Sequence, residues 1–291
     1  MIDVNGLRGD LVVSACLRYD LAPIPLTFEA GIRTTQATAT DFQQDKIITV
    51  NEVEFQIVKT EPLPNAIGVQ GSEPISATRI IAFPRGCVGV ARPRSSAVVF
   101  GSATLGGIYR ACGATMPVTG DFPVGRFACL VGDVPTFHIG RLLQEEAAVI
   151  TWRKQQLAAM RVQDIFKQTP STNIDIEVSE DLRSEFLEAD QIPVYVSTGP
   201  DGKFVFGAAR GPSRTVHYTP SKTVRELNYM SAILVRRKVI KAAPNLTVRA
   251  GDVLSIRGTP YAVITAAHYE QNDTDGSGAQ QYSRFWLGVL A

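Results

Sequence analysis

The sequence predicts a mainly β fold of the α+β class, organised around two related small β-barrels. Short runs rich in β-branched and aromatic residues alternate with polar turns along most of the chain, which is typical of small β domains. In addition, the apolar pattern of residues 47–58 occurs again at residues 253–264, near the other end. A β-rich middle segment, one long helix and a small helix-plus-hairpin module complete the predicted architecture.

The two matching segments each have the pattern of a β-hairpin. Residues 47–58 read IITVNEVEFQIV, residues 253–264 read VLSIRGTPYAVI, and their apolar positions coincide at a constant offset. Each contains two β-forming runs around a polar turn, at Asn51–Glu54 and at Arg257–Pro260. A period of two places four apolar side chains of the first copy on one face: Ile48, Val50, Phe55 and Ile57. Such alternation also recurs by chance in β proteins, but we favour duplication of a barrel.

The composition is typical of a folded globular protein without a strong charge. The chain has 291 residues, of which 45% are hydrophobic and 20% charged, and this length suffices for two or three domains. Its net charge of +1 provides no overall field that would attract nucleic acid or an anionic membrane. No apolar run is long enough to span a bilayer and no signal-peptide pattern opens the sequence. We therefore expect a cytoplasmic product without a membrane-spanning segment.

The first barrel is predicted in residues 1–80 and the β-rich middle segment in residues 81–170. Strands of the first barrel are expected at Leu11–Leu17, Ile24–Phe28, Ile47–Val50 and Phe55–Val58. Glycine and proline are frequent in the middle segment up to about residue 140, and short strands are expected there at Ala97–Phe100 and Phe127–Val131.

One long helix is predicted at residues 141–167, between a glycine and a proline. At about 100° per residue most of its apolar side chains form one stripe, and Glu146 and Arg153 lie within it, whereas Trp152 falls outside. A charged pair in the stripe favours a helix packed against another subunit, and we predict Trp152 and Met160 as interface anchors. An ordinary amphipathic helix that packs on a sheet is the open alternative.

Residues 171–240 are predicted as the helix-plus-hairpin module and residues 241–291 as the second barrel. A strand at Ile174–Val178 is expected to lead into a short helix from Ser179 to about Ala189, with Ser179 as its N-cap. A hairpin is expected at Ile192–Phe206, around a turn rich in glycine.

No catalytic constellation is evident in the sequence. The three histidines, His138, His217 and His268, lack a partner at metal-ligand spacing, and the four cysteines lack CxxC spacing. We therefore predict no catalytic residue, no cofactor and no metal site, and we expect the cysteines to be free thiols. A Cys/His pair that forms only in the folded protein is left open.

The order of these parts resembles a known family. The motifs are the Leu7-Arg8-Gly9-Asp10 segment, the 47–58 hairpin, the 179–206 module ending in Gly202-Lys203-Phe204-Val205, and the block RAGDVLSIRGTPYAVITAAHYE near the C-terminus. Together they resemble the baseplate hub proteins of tailed phages and related contractile injection systems. The resemblance covers both ends of the chain and residues 171–291, whereas residues 80–140 match no part of it.

The resemblance implies a structural, non-enzymatic virion protein of the tail baseplate that assembles in the host bacterial cytoplasm. In that family the hub is a homotrimer whose chains each carry two tail-tube-like β-barrels. Three such chains would present six similar units and so adapt a sixfold tail tube to a threefold central spike. The implied partners are the tail tube protein, spike or tail-tip proteins and other baseplate components, without sequence-specific nucleic acid.

Three alternatives remain open. A distal-tail or tube-initiator ring protein would carry one barrel per chain and assemble as a hexamer. A cell-wall hydrolase on a β-scaffold would need clustered carboxylates or a Cys/His pair in a cleft. A carbohydrate- or receptor-binding protein would expose several aromatic side chains on one surface, and the even scatter of aromatic residues gives it little support.

Overall fold

The computed structural model contains 47% strand and 18% helix, which confirms the predicted mainly β class. The structure describes residues 2–63, 68–70, 73–174, 179–181, 193–208, 215–272 and 278–290. None of the helices in these ranges combines the length and the apolar character needed to cross a bilayer.

The strands are numbered in chain order. They are β1 (Val12–Asp20), β2 (Leu26–Arg33), β3 (Ile47–Val50), β4 (Val53–Pro62), β5 (Gly68–Gln70), β6 (Glu73–Ile75), β7 (Ala77–Pro84), β8 (Val98–Phe100), β9 (Ala103–Thr104), β10 (Val118–Thr119), β11 (Pro123–Val124), β12 (Phe127–Cys129), β13 (Ala148–Arg153), β14 (Gln156–Arg161), β15 (Thr172–Ile174), β16 (Ser179–Asp181), β17 (Val194–Thr198), β18 (Phe204–Phe206), β19 (Val216–Tyr218), β20 (Leu234–Ala242), β21 (Val253–Ile256), β22 (Thr259–Gln271) and β23 (Gln280–Leu290). Every strand predicted before residue 140 corresponds to one of these, and only β3 has the predicted ends.

Within the ranges that the structure describes, five α-helices lie between the strands. They are α1 (Gln36–Asp41), α2 (Leu105–Ala111), α3 (Pro135–Glu145), α4 (Val162–Ile165) and α5 (Val224–Met230), and 3-10 helices lie at Gly9–Leu11 and Arg85–Ala91.

The largest sheet has eleven strands and draws on both ends of the chain. Its main path has the order β16-β20-β23-β22-β1-β2-β7-β4-β3, and β21 pairs with β22 and β15. Within the described residues no closed barrel forms, so the prediction of two barrels is not confirmed. The segments predicted to form them contribute strands to the two halves of one continuous sheet. The predicted boundaries of the four domains remain predictions.

The hydrophobic core continues from one half of this sheet through the middle segment to the other half. The four side chains predicted on one face of the first hairpin are each at most 1% exposed: Ile48, Val50, Phe55 and Ile57. Phe55 contacts Phe28 of β2, with ring centroids 5.9 Å apart. The apolar alternation that predicts the hairpin is therefore also what anchors it to the core.

The predicted long helix at residues 141–167 is wrong. Helix α3 ends at Glu145, and the chain then forms the β13–β14 hairpin and the short helix α4. Ala147 lies at φ 44°, and the turn residues Lys154 and Gln155 lie at φ 47° and 58°. Left-handed residues end helices and form two-residue hairpin turns, which an apolar stripe does not reveal. The β-branched and aromatic run in β13 also favours a strand.

In residues 171–240 the predicted hairpin is confirmed, whereas the predicted start of the helix is wrong. Strands β17 and β18 pair in antiparallel register, and Gly199 N–H donates to the carbonyl of Lys203 at 2.8 Å. Ser179 lies in β16, which pairs with β20, instead of capping a helix. The rest of that predicted helix, residues 182–189, lies outside the described residues, as do residues 175–178 of the strand predicted before it.

The middle segment contains a close backbone approach that requires glycine at position 89. A Cβ added to Gly89 would overlap the carbonyl oxygen of Gly113, a backbone atom that cannot rotate away. We therefore expect Gly89→Ala to lower the free energy of unfolding by about 2 kcal/mol or more. Gly101→Ala is the matched control, because nothing lies within 4 Å of a Cβ added there. Equal stabilities of the two variants in urea denaturation would contradict this prediction.

Candidate assembly site

Four strands in each half of the large sheet have the same arrangement. The first set lies in the order β2-β7-β4-β3 and the second in the order β20-β23-β22-β21. In chain order, each set begins with one outer strand (β2 or β20) and continues with a hairpin (β3–β4 or β21–β22). It ends with the strand that lies between the first strand and the hairpin (β7 or β23). We refer to β2, β3, β4 and β7 as repeat 1 and to β20, β21, β22 and β23 as repeat 2.

The hydrogen-bond register of the two repeats also coincides. All four residue pairs of the β3–β4 hairpin have counterparts in β21–β22 at one offset, for example Ile48 with Phe55, and Leu254 with Tyr261. Since a slip of one residue would exchange the two faces of a strand, a common register preserves the same buried face in both repeats.

The backbone irregularities are repeated as well. The turn Asn51–Glu52 has φ values of 45° and 67°, and the turn Arg257–Gly258 has φ values of 49° and 80°. Two-residue turns with both residues left-handed are type I′ hairpin turns. A register shift then follows Ile57 in β4 and Val263 in β22. The common register, turn and bulge support duplication over chance alternation.

The two repeats meet where β1 pairs with β22. This antiparallel ladder extends from Ser14 opposite Gln271 to Asp20 opposite Thr265. The Thr265 hydroxyl donates a hydrogen bond to Asp20 Oδ1 at 2.7 Å. Strand β1 also pairs with β2, so it is the strand through which repeats 1 and 2 form one sheet.

A buried histidine lies at this junction. His268 in β22 is 3% exposed, and its Nδ1 and Nε2 lie 2.8 Å from Ser283 Oγ and 3.1 Å from the carbonyl of Val248. The pKa of His268 is lowered from 6.5 to about 4, chiefly by burial; the Val248 hydrogen bond opposes this shift, and the charge of Arg249 adds to it. The ring is therefore neutral at neutral pH, and its contact with the fully buried Ser283 is structural.

A buried ion-pair cluster joins the middle segment to α5. The Glu146 side chain is 3% exposed and lies 2.9 Å from Arg161 and 3.0 Å from Arg225. The preceding Glu145 lies 2.6 Å from Lys222. Buried carboxylates require such cations to offset their lost hydration. Glu146, whose place in the apolar stripe favoured a subunit contact, is thus paired within its own chain.

The two predicted interface anchors occupy different environments. Trp152 lies in β13, is 3% exposed, and lines a cleft of about 330 Å³ together with Lys154 and Arg249. Met160 lies in β14 opposite Val149 and is half-buried. Trp152 is already a core residue of its own chain, and the interface role of both residues remains a prediction.

The four cysteines are free thiols. Burial raises the pKa of Cys16 to about 11, of Cys87 to about 12 and of Cys112 to about 11. At neutral pH these thiols are protonated and therefore poor nucleophiles. They do not have the activated state that a cysteine hydrolase needs.

No protein-family model matches the sequence, and no curated protein is significantly similar to it. Solved structures share its fold. The tail protein from Neisseria meningitidis MC58 has a TM-score of 0.67 and 8% identity, covering 99% of this chain and 96% of that chain. The 43 kDa tail protein of prophage MuSo2 from Shewanella oneidensis has a TM-score of 0.63 and 10% identity, covering 98% and 96%. The chain has a tail-protein fold.

The tail-protein fold also occurs in a secretion system. The E. coli c3393 protein has a TM-score of 0.57 and 9% identity, covering 100% of this chain and 77% of that chain. It is a component of the type VI secretion system and exhibits structural similarity to the T4 bacteriophage tail proteins gp27 and gp5. These likenesses confirm the predicted resemblance at the level of fold, and identities this low carry no residue roles.

Sequence reasoning missed two side-chain clusters in this fold. One is the ion-pair cluster around Glu146, for which a glutamate inside an apolar stripe was the available signal. The other brings together Cys129, Asp133 and His138. These three residues are close in sequence, but a search for paired cysteines or paired histidines does not detect a mixed set.

Proposed function

We propose that this chain is a structural tail protein, the baseplate hub that joins a sixfold tail tube to a threefold central spike. The observation that carries the proposal is the internal repeat, in which strand order, register, turn and bulge recur. Three chains in a ring would supply six similar units while keeping true threefold symmetry. The fold shared with tail proteins supports the same conclusion.

The junction inside the chain suggests how neighbouring chains meet. Strand β1 lies beyond β2 with Ala15 opposite Ala30, and β16 lies beyond β20 with Ser179 opposite Ile240. Strand β16 thus occupies in repeat 2 the place that β1 occupies in repeat 1. Strand β22 of repeat 2 corresponds to β4 of repeat 1. Because β1 pairs with β22 within the chain, the equivalent contact between chains would pair β16 of one chain with the outer edge of β4 in the next.

The outer edge of β4 fits this role. Among the described residues, β16 pairs only with β20, and the part of β4 beyond Ile57 pairs only with β7. Leu63 donates its N–H to Ala77 on the β7 side at 2.8 Å, so strand alternation directs the N–H of Thr60 to the outer edge. Pro62 has no N–H to offer, which protects this edge from uncontrolled strand addition in the free chain.

We expect the purified chain to form a homotrimer with three times the 31.5 kDa mass of one chain. Light scattering behind a sizing column measures this mass, and electron micrographs of the same particle should show threefold averages with six similar lobes. A hexamer would favour the tube-initiator alternative, which carries one unit per chain. A particle that stays monomeric at all accessible concentrations would contradict the proposal.

A pair of substitutions at Thr60 provides the control for the strand contact. Thr60→Pro removes an outward N–H at every β16–β4 contact and should shift the mass distribution from trimer to monomer. Thr60→Val keeps both the N–H and a β-branched side chain, so it should remain trimeric. If Thr60→Pro and Thr60→Val both remain trimeric, the proposed contact between β16 and β4 is contradicted, whereas the proposed homotrimer is not.

A non-enzymatic role is part of the proposal. It is supported by the raised pKa values of Cys16, Cys87 and Cys112 and by the buried position of His268. Cys129 is brought beside His138 in the folded chain, and burial raises its pKa as well. A peptidoglycan zymogram with a cleared zone at this chain would favour the hydrolase alternative.

A further inference from the structure

Three different ligand types lie together at the start of α3. Cys129 ends β12, Asp133 lies in the turn that follows, and His138 lies in the first turn of the helix. The Cys129 Sγ, an Asp133 carboxylate oxygen and a His138 ring nitrogen all lie within 4.8 Å of one another. His138 Nε2 is 3.0 Å from Asp133 Oδ2. This group lies outside both the repeat junction and the buried ion-pair cluster.

The turn that carries Asp133 is held by backbone hydrogen bonds on both sides. Leu130 N–H donates to Asp133 Oδ2 at 2.9 Å, which orients the carboxylate. Arg94 N–H donates to the carbonyl of Asp133 at 2.9 Å, and Gly132 N–H donates to the carbonyl of Arg94 at 2.9 Å. Gly132 has φ 86°, a conformation that glycine adopts without strain. The ligand positions are therefore set by the fold and not by a free loop.

We propose that Cys129, Asp133 and His138 bind one Zn²⁺ ion, with water as the fourth ligand. Thiolate, imidazole and carboxylate are the ligand types of zinc sites, and the sulfur and nitrogen donors select against Mg²⁺ and Ca²⁺. Zinc bond lengths of about 2.0–2.3 Å place ligand atoms about 3.3–3.7 Å apart around a tetrahedral ion. Side-chain adjustments of about 1 Å bring the three donors to that spacing.

The site combines one buried ligand with two partly exposed ligands. Cys129 is fully buried, whereas the side chains of Asp133 and His138 are 39% and 26% exposed. An ion can therefore enter from the solvent side, where the water ligand would remain. The ring of Phe137 packs edge-on against that of His138, with centroids 5.5 Å apart, and this contact restricts the orientation of the imidazole.

Metal binding here requires a proton to leave. The Cys129 S–H bond breaks as the Zn–S bond forms, and the proton passes to solvent, while His138 binds through Nε2 with its ring proton on Nδ1. Binding of Zn²⁺ should therefore be accompanied by the release of one proton from Cys129.

The test is titration of the untagged, chelator-stripped chain with Zn²⁺ in a calorimeter. We expect one Zn²⁺ per chain, and we expect His138→Gln and Asp133→Asn each to weaken the affinity by about tenfold or more. His217→Gln and Cys16→Ser are the matched controls, since both residues lie outside the cluster, and they should bind Zn²⁺ like the original chain.

Cobalt provides a second readout that identifies the sulfur ligand. Co²⁺ at the site should give a thiolate charge-transfer band, and Cys129→Ser should abolish that band while Cys16→Ser retains it. Because Asp133 and His138 are partly exposed, their variants test the site even where Cys129→Ser fails to fold. The proposal would be overturned if the chain did not bind Zn²⁺ stoichiometrically. It would also be overturned if His138→Gln and Asp133→Asn both left the affinity for Zn²⁺ unchanged.

Discussion

Arg161→Met should lower the free energy of unfolding by about 3 kcal/mol, because it removes one partner of a buried carboxylate. Glu146 is 3% exposed and lies 2.9 Å from Arg161. The guanidinium of Arg161 also lies over the ring of Phe122, 3.9 Å from its centroid. Methionine keeps the apolar stem, so the loss reports mainly on the charge. Arg225 continues to contact Glu146, which keeps the expected loss at the lower end for buried pairs.

Arg141→Met is the matched control for this prediction. Arg141 is 57% exposed and lies 3.9 Å from Glu145, and exposed pairs at such distances contribute little. Its expected effect is within about 0.5 kcal/mol. Both variants should be compared with the original chain by urea denaturation at one protein concentration, because assembly changes apparent stability. If Arg161→Met and Arg141→Met lowered the free energy of unfolding equally, the prediction would be contradicted, because the burial of Glu146 could not then explain the loss.

Acidification should destabilise the chain through His268 by about 3 kcal/mol between pH 6.5 and about pH 4. The pKa of this histidine is 6.5 in the unfolded chain and about 4 in the folded chain. Above pH 6.5 both states hold a neutral ring. As the pH falls through this window, the unfolded state binds a proton that the folded state excludes, so unfolding is favoured. Below about pH 4 both states are protonated and the contribution stays constant.

The measurement is the free energy of unfolding as a function of pH for the original chain and for His268→Gln. Glutamine can hydrogen-bond to Ser283 and Val248 without titrating, so the difference between the two curves isolates the histidine. His217→Gln is the control, since His217 is exposed. A difference curve that does not change between neutral pH and pH 4 would contradict the prediction. Because His268 lies in the ladder between repeats 1 and 2, the same acidification should weaken that junction.

The sequence by itself determined the parts of this protein that depend on neighbouring residues. The hairpin of β3 and β4 follows from a period of two and a polar turn within residues 47–58. The sequence places that turn at Asn51–Glu54, and the structure shortens it to Asn51 and Glu52. The second copy of this hairpin, in β21 and β22, follows from the same pattern, and the structure adds a common register. The hairpin of β17 and β18 follows from its glycine-containing turn. These features are local, so the tail-protein resemblance was also accessible from the sequence.

Only the tertiary structure decided the features that depend on distant partners. Residues 148–161 have an apolar spacing that satisfies a helix, but left-handed Ala147 and the pairing of β13 with β14 make them a hairpin. Ser179 has the chemistry of a helix cap, yet its segment pairs with β20. The ladder of β1 with β22 joins opposite ends of the chain. Local propensity is weak compared with the hydrogen bonds and burial that such long-range contacts provide, so pattern alone could not assign them.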